Sequence, residues 1–205
     1  TISQYNNDGY DLVKVGTGTT TFSNTSSNAH QDDVNGINVQ AGKVILSGNW
    51  GRNNDSNGNF NIESGATLEI DSSINNSFDG VLSGSGNLII NGSGIQTFTG
   101  TNTFSGSTTI SSGKLKIGGS GVIGNATYSG TIANSGTFEY ASSAAQTLSG
   151  VISGGGGLTK SGSGDLTLSG NSNTTGTISL SSGNLIAGSD NALGSAPTIS
   201  ASNTP

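Results

Sequence analysis

The single histidine of this 205-residue chain, His30, stands just before Asp32 and Asp33 in a sequence rich in serine. A serine hydroxyl, an imidazole and a carboxylate are the parts of a nucleophilic hydrolase. No G-x-S-x-G turn that would strain and expose such a serine is present. His30, Asp32 and Asp33 therefore read as a solvated loop within the polar stretch 24–35. Glu69 and Asp71 alternate along one apolar run and point to the same side, and two carboxylates about 5–9 Å apart can cleave a glycosidic bond. Glu69, however, has an equivalent at Glu139 seventy residues on, where Asp71 becomes Ala141. That pattern favours a scaffold position facing solvent. G-S-G-D at 162–165 offers one carboxylate, too few for calcium, and its counterpart Ile95 has no ligand atom. G-G-G-G at 154–157 lacks the G-K-[ST] that a phosphate loop requires. We expect no catalytic group, no metal and no cofactor.

One segment could bind. Trp50, Arg52, Asn53 and Asp55 lie in SGNWGRNNDSNGN (47–59), a polar loop between the apolar runs VIL and FNI. An indole beside amide, guanidinium and carboxylate groups can form a stacking platform for a sugar; it can equally fold back over the edge of the structure. Loops leaving a rigid scaffold are where binding usually resides, so these four residues are the candidate ligand site.

The elements that carry these residues follow from a repeat. GVLSGSGNLIINGSGIQTFTGTNTFSGSTTISSGKLKIG (80–118) aligns without a gap on GVISGGGGLTKSGSGDLTLSGNSNTTGTISLSSGNLIAG (150–188), an offset of 70. ESGATLEI (63–70) aligns on NSGTFEY (134–140), and a more divergent copy begins at LVKVGTGTTTF (12–22). The units run approximately over 10–79, 80–149 and, in part, 150–205. Inside each, runs such as LEI, NLIIN, KLKI and LTL alternate with period two, the signature of strands, and Gly-rich pairs punctuate them. Helical spacing is not sustained anywhere.

Short strands in a 70-residue register point to stacked coils, three per unit at about 23 residues each. The fold expected is an all-β parallel β-helix of about nine coils, a single β-solenoid segment. A chain with 30% hydrophobic residues and 35 glycines suits that architecture, because each coil gives only a few side chains to a narrow core. Leu68, Ile70, Leu88, Ile90, Leu115, Ile117, Phe138, Tyr140, Leu158, Leu166, Leu168, Ile178 and Leu185 are expected inside. No cysteine is present, so disulfides and Cys-based metal sites are excluded. Six Lys+Arg in a net charge of −6 argue against a nucleic-acid partner. No apolar run reaches the ~20 residues of a membrane helix, so no direct membrane insertion of this segment is expected.

GLTKSGSGDLTLSGNSNTTGTISLSSGNLIAG (157–188) resembles the autotransporter-associated β-strand repeat of bacterial autotransporter passenger domains. Leu158, Lys160, Gly162, Gly164, Leu166, Leu168, Gly170, Asn171, Gly176, Thr177, Gly183 and Leu185 fill the pattern. Residues 87–118 fit more loosely, with Ile90 at the lysine position and Gln96 at a leucine position. The resemblance implies a right-handed β-helix displayed at the bacterial cell surface. It also implies a piece of a longer protein, with an outer-membrane barrel elsewhere in the parent chain. In such passengers the repeat is scaffold, so the expected role is a non-catalytic adhesin or stalk. Its partners would be host or surface glycans or proteins, or further copies joined through coil ends. The rival expectations are a polysaccharide-active β-helix enzyme and a self-assembling extracellular filament or matrix subunit. Ice binding by threonine rows such as TGTNT (99–103) ranks last, because they do not recur strictly along one face.

Overall fold

Alternation decides the local structure throughout. A computed structural model describes residues 2–5, 11–24, 36–49, 58–195 and 198–201, and within them the regular elements are strands, with no helix. Among the described residues the chain lays short strands in turn on three faces, climbing from coil to coil. The second face is continuous, with eight strands: Thr19–Asn24, Lys43–Gly48, Thr67–Asp71, Asn87–Asn91, Thr108–Ile110, Ile132–Asn134, Ile152–Gly154 and Asn173–Thr174. The molecule is therefore a β-solenoid of about eight turns, where the sequence suggests nine. At about 4.8 Å per stacked strand the described rod is roughly 34 Å long.

The third face holds seven strands, from Asn76–Phe78 through Gly157–Lys160 to Ile199–Ala201. The first face is built in two parts. Asp11–Lys14, Gly36–Val39, Asn59–Ile62 and Leu82–Gly84 form one sheet; Thr127–Tyr128, Gln146–Leu148, Leu166–Leu168 and Leu185–Ala187 form the other. Between these two sheets the first face holds only an isolated bridge, Thr101 to Val122. Continuity is kept by backbone bonds, Thr103 N–H to the Leu82 carbonyl (2.8 Å) and Asn125 N–H to the Asn102 carbonyl (2.9 Å). Phe104 and Tyr128 also pack ring to ring, 5.2 Å between centroids. The strand Ile2–Tyr5 pairs antiparallel with Asp11–Lys14, and every other described strand pairing is parallel.

Pairing is in register, like residue on like. Leu68 pairs with Leu88, and Leu88 with Thr108, twenty residues per step. Phe138 pairs with Leu158 and Leu158 with Ile178 at the same step. Longer steps of twenty-three or twenty-four occur at Val44 to Leu68, Thr108 to Ile132 and Leu115 to Phe138. Twelve of the thirteen expected core residues are buried. Leu185 is only half-buried, because its strand is the last described one on its face and only one neighbouring coil covers it.

The expectation of three coils per 70 residues needs correcting. Leu88 lies on the second face, whereas its sequence equivalent Leu158 lies on the third. Leu68 and Phe138 are related in the same way, as are Leu82 on the first face and Ile152 on the second. A sequence unit is thus three coils and one further face. This works because the three faces present the same environment: one apolar side inward, one polar side outward, and the same spacing to the next coil.

Glycine sets how closely coils approach at the corners. Gly86, Gly106, Gly130, Gly150 and Gly170 stack in one column between the first and second faces. A Cβ on Gly106, Gly130, Gly150 or Gly170 would be driven into the carbonyl of the glycine one coil earlier. The opposite case is Gly124–Asn125–Ala126, three successive residues with positive φ (57°, 52° and 67°). A left-handed alanine costs about 1–2 kcal/mol. In urea denaturation, Ala126→Gly is expected to stabilise the protein by about 1 kcal/mol. Gly106→Ala is expected to destabilise it by about 3 kcal/mol, because the obstacle is backbone that cannot turn aside.

Candidate functional site

Trp50, Arg52, Asn53 and Asp55, the candidate ligand residues, lie outside the described residues, as do His30, Asp32 and Asp33. Among the described residues no group of three or more His, Asp or Glu side chains is placed to hold a metal. What the structure does bring together are two outward ion-pair clusters and two inward lysines.

Glu69 and Asp71 both point outward from the second face, as their alternation with Leu68 and Ile70 requires. Asp71 is exposed. Glu69 is not open to solvent, contrary to the sequence expectation. Lys43 from the preceding coil reaches its Oε2 at 2.8 Å, and the Asn91 amide from the following coil donates to Oε1 at 3.2 Å. Glu139 repeats the arrangement one face round. Lys114 donates to its Oε2 at 2.6 Å, Ser161 Oγ donates to Oε1 at 2.9 Å, and Lys116 stands 3.4 Å from Oε1. Burial alone would push the Glu139 carboxyl up, but the hydrogen bonds from Lys114 and Ser161 and the charges of Lys114 and Lys116 hold it below its usual value. Both carboxylates are therefore engaged by groups from the neighbouring coils. Each cluster ties the two strands flanking one of the longer coils.

Lys14 and Lys160 are the polar residues that pattern reading missed. The signal was available: in L-V-K and L-T-K the lysine shares the parity of the inward leucine. Both are fully buried. Lys14 Nζ donates to the carbonyls of Val15 (3.1 Å), Gly16 (2.6 Å) and, one coil on, Ala41 (3.0 Å). Lys160 Nζ donates to the carbonyls of Gly162 and, one coil on, Ser182 (3.0 Å), and lies 5.9 Å from the centre of the Tyr140 ring. The ammonium thus fills the inside of the G-x-G corner and pins it to the next coil. Burial lowers the Lys160 pKa, and the charge of Asp165 works against that. Where Ile90 replaces the lysine, Ser112 Oγ donates to the Gly92 carbonyl instead (3.0 Å).

The G-x-G corners themselves expose a hydroxyl residue at their tips: Thr17, Ser93 and Ser163. They lie after strands on the first, second and third faces respectively, so equivalent corners point in three directions around the rod.

This geometry is that of a repeat scaffold with a polar-pinned core. The family model of the passenger-associated-transport-repeat matches residues 12–46, 88–117 and 158–187. Three segments of the chain are therefore similar to this repeat of autotransporter passengers. The matches begin on the first, second and third faces in turn, and the two that lie wholly within the described residues each cover one full coil plus two further faces. No curated protein and no solved structure matches the chain.

Two predictions follow from the inward polar groups. Lys160→Met leaves the Gly162 and Ser182 carbonyls unpaired, so a loss of about 1–3 kcal/mol is expected in urea titrations. A lysine whose folded pKa is lowered adds stability as pH rises toward 10.5, and that rise should vanish in the variant. Tyr128 has the opposite sign. Burial pushes its hydroxyl up to about 12, against the weaker effect of its 2.8 Å hydrogen bond with Thr108. Between pH 10 and about 12 the unfolded phenol ionises while the folded one does not, so stability falls, by about 3 kcal/mol when complete. Tyr128→Phe should lack this alkaline loss.

Proposed function

We propose that this chain is a non-catalytic β-solenoid displayed outside a bacterial cell as part of an autotransporter-type passenger, holding adhesive elements away from the surface. The observation that carries this reading is the repeat's one-face advance. A repeat that turns with each copy does not line up equivalent side chains into one ligand-reading surface, whereas it builds a uniform rod. The contacts that Glu69 and Glu139 make with neighbouring coils support a structural role for the acidic positions. Recognition would then belong to the polar segment 47–59 that the sequence singles out, with a glycan or protein as its partner.

The test is deletion of one whole coil, residues 130–149. It joins Ser129 to Gly150 and keeps every face in register, since Ile132 stacks on Ile152 and Phe138 on Leu158. The shortened protein should fold, lose some stability with the Glu139 cluster, and still reach the surface and support attachment when expressed in its parent chain. A ten-residue deletion in the same region should not fold. Loss of attachment in a folded, displayed coil-deletion protein would overturn the stalk reading. Hydrolysis of neutral or uronate polysaccharides by the purified chain would overturn the non-catalytic one.

A further inference from the structure

Four Asn-x-Ser/Thr triplets fall wholly within the residues whose side chains are described, at Asn75, Asn91, Asn125 and Asn173. The triplet is the acceptor pattern for N-linked sugar, which requires a free amide and a hydroxyl two residues on. The fold treats the four differently.

Asn91 is committed: its amide donates to Glu69 (3.2 Å) and its oxygen accepts from Ser112 Oγ (3.3 Å). The Asn75 oxygen accepts the Ile95 N–H at 2.8 Å, and its partner Ser77 sits within a strand. Asn173 begins the short strand Asn173–Thr174, whose Thr174 is buried with its hydroxyl turned to the Gly154 carbonyl, and the hydroxyl of the triplet, on Thr175, follows directly after that strand. In a strand, residues two apart lie about 6.6 Å from each other along the chain, which keeps hydroxyl and amide separate.

Asn125-Ala126-Thr127 differs from all three in its backbone. Asn125 and Thr127 are both exposed, as Asn173 and Thr175 are, and Asn125 makes no side-chain hydrogen bond among the described residues. The backbone is left-handed at Gly124, Asn125 and Ala126, so the triplet turns where the other three run extended or engaged. The turn is also well fixed. Asn125 N–H donates to the Asn102 carbonyl (2.9 Å), Thr127 N–H to Gly124 (3.0 Å), and Thr147 N–H to Ala126 (2.9 Å). Asparagine tolerates this conformation better than most residues, yet nothing in the packing requires its amide. It lies at the break in the first face, where a bulky group would stand clear of the ladder.

We propose that Asn125 is an N-glycosylation site, taking a hexose or short hexose chain from a nucleotide-activated sugar. The Asn125 side-chain nitrogen attacks the anomeric carbon, and a C–N bond forms. The C–O bond to the nucleoside diphosphate breaks, that group leaves with the electron pair, and the amide gives one proton to a base of the transferase. Thr127 is the positioning hydroxyl.

The test uses protein recovered from the cells that make it. Trypsin cutting at Lys116 and Lys160 releases Ile117–Lys160, in which Asn125 heads the one triplet of this kind. The expected result is that peptide carrying one or more hexose masses, placed on Asn125 by electron-transfer fragmentation. Asn125→Asp, which keeps a residue suited to the left-handed turn, and Thr127→Val, which keeps the strand, should both remove the mass. An unmodified peptide from the natural source overturns the proposal. So does sugar found on Asn75, Asn91 or Asn173 in preference to Asn125, or sugar that survives Thr127→Val.

Discussion

The close parallel stacking of one coil on the next is the constraint from which the rest follows. Strands about 4.8 Å apart leave every inward side chain covered by its counterparts above and below, so a thin core suffices. The same distance leaves no room for a Cβ where corners meet, hence the column from Gly86 to Gly170. It also makes each added coil a copy of the environment before it, which lets a 20-residue step recur from Leu68 to Thr108 and again from Phe138 to Ile178.

A narrow core still has to satisfy the carbonyls at its corners. Here that is done by polar side chains brought inside. Lys14 and Lys160 supply ammonium groups, Ser112 a hydroxyl, and Asn102 an amide that donates to the Gly100 and Val122 carbonyls (2.9 and 3.1 Å) while accepting from Leu82 N–H (2.9 Å). Gln146 does the same with both backbone groups of Ile123 (2.9 and 3.0 Å). Each of these side chains makes at least one bond to a neighbouring coil, so polar satisfaction and coil docking are one event. The outward Lys43–Glu69 and Lys114–Glu139 pairs do on the surface what the inward groups do within.

Much of this was legible from alternation. The strands, the turns, the 70-residue period and the inward leucines, isoleucines and aromatics follow from residue type and parity. The inward lysines follow the same parity, but charge argues against burial unless the carbonyl cage is seen. Solvent exposure of Glu69 and Glu139 was misjudged for a related reason. Parity gives the outward direction, while the covering groups come from Lys43 and Asn91, or from Lys114 and Ser161, all in other coils. The position of the Trp50 segment on the fold lies outside the described residues, so its candidacy still rests on sequence.

By itself, the sequence determined that this chain alternates, repeats and stacks, because side-chain parity and glycine placement are local properties. Only the tertiary structure decided how the repeat maps onto the coil. Coil length is set by how many residues each corner needs to bring a strand above its predecessor, and that is a property of contacts between coils. The sequence period of 70 residues therefore exceeds three coils by one face. Successive copies of one motif, alike in sequence, come to look out from the rod in different directions.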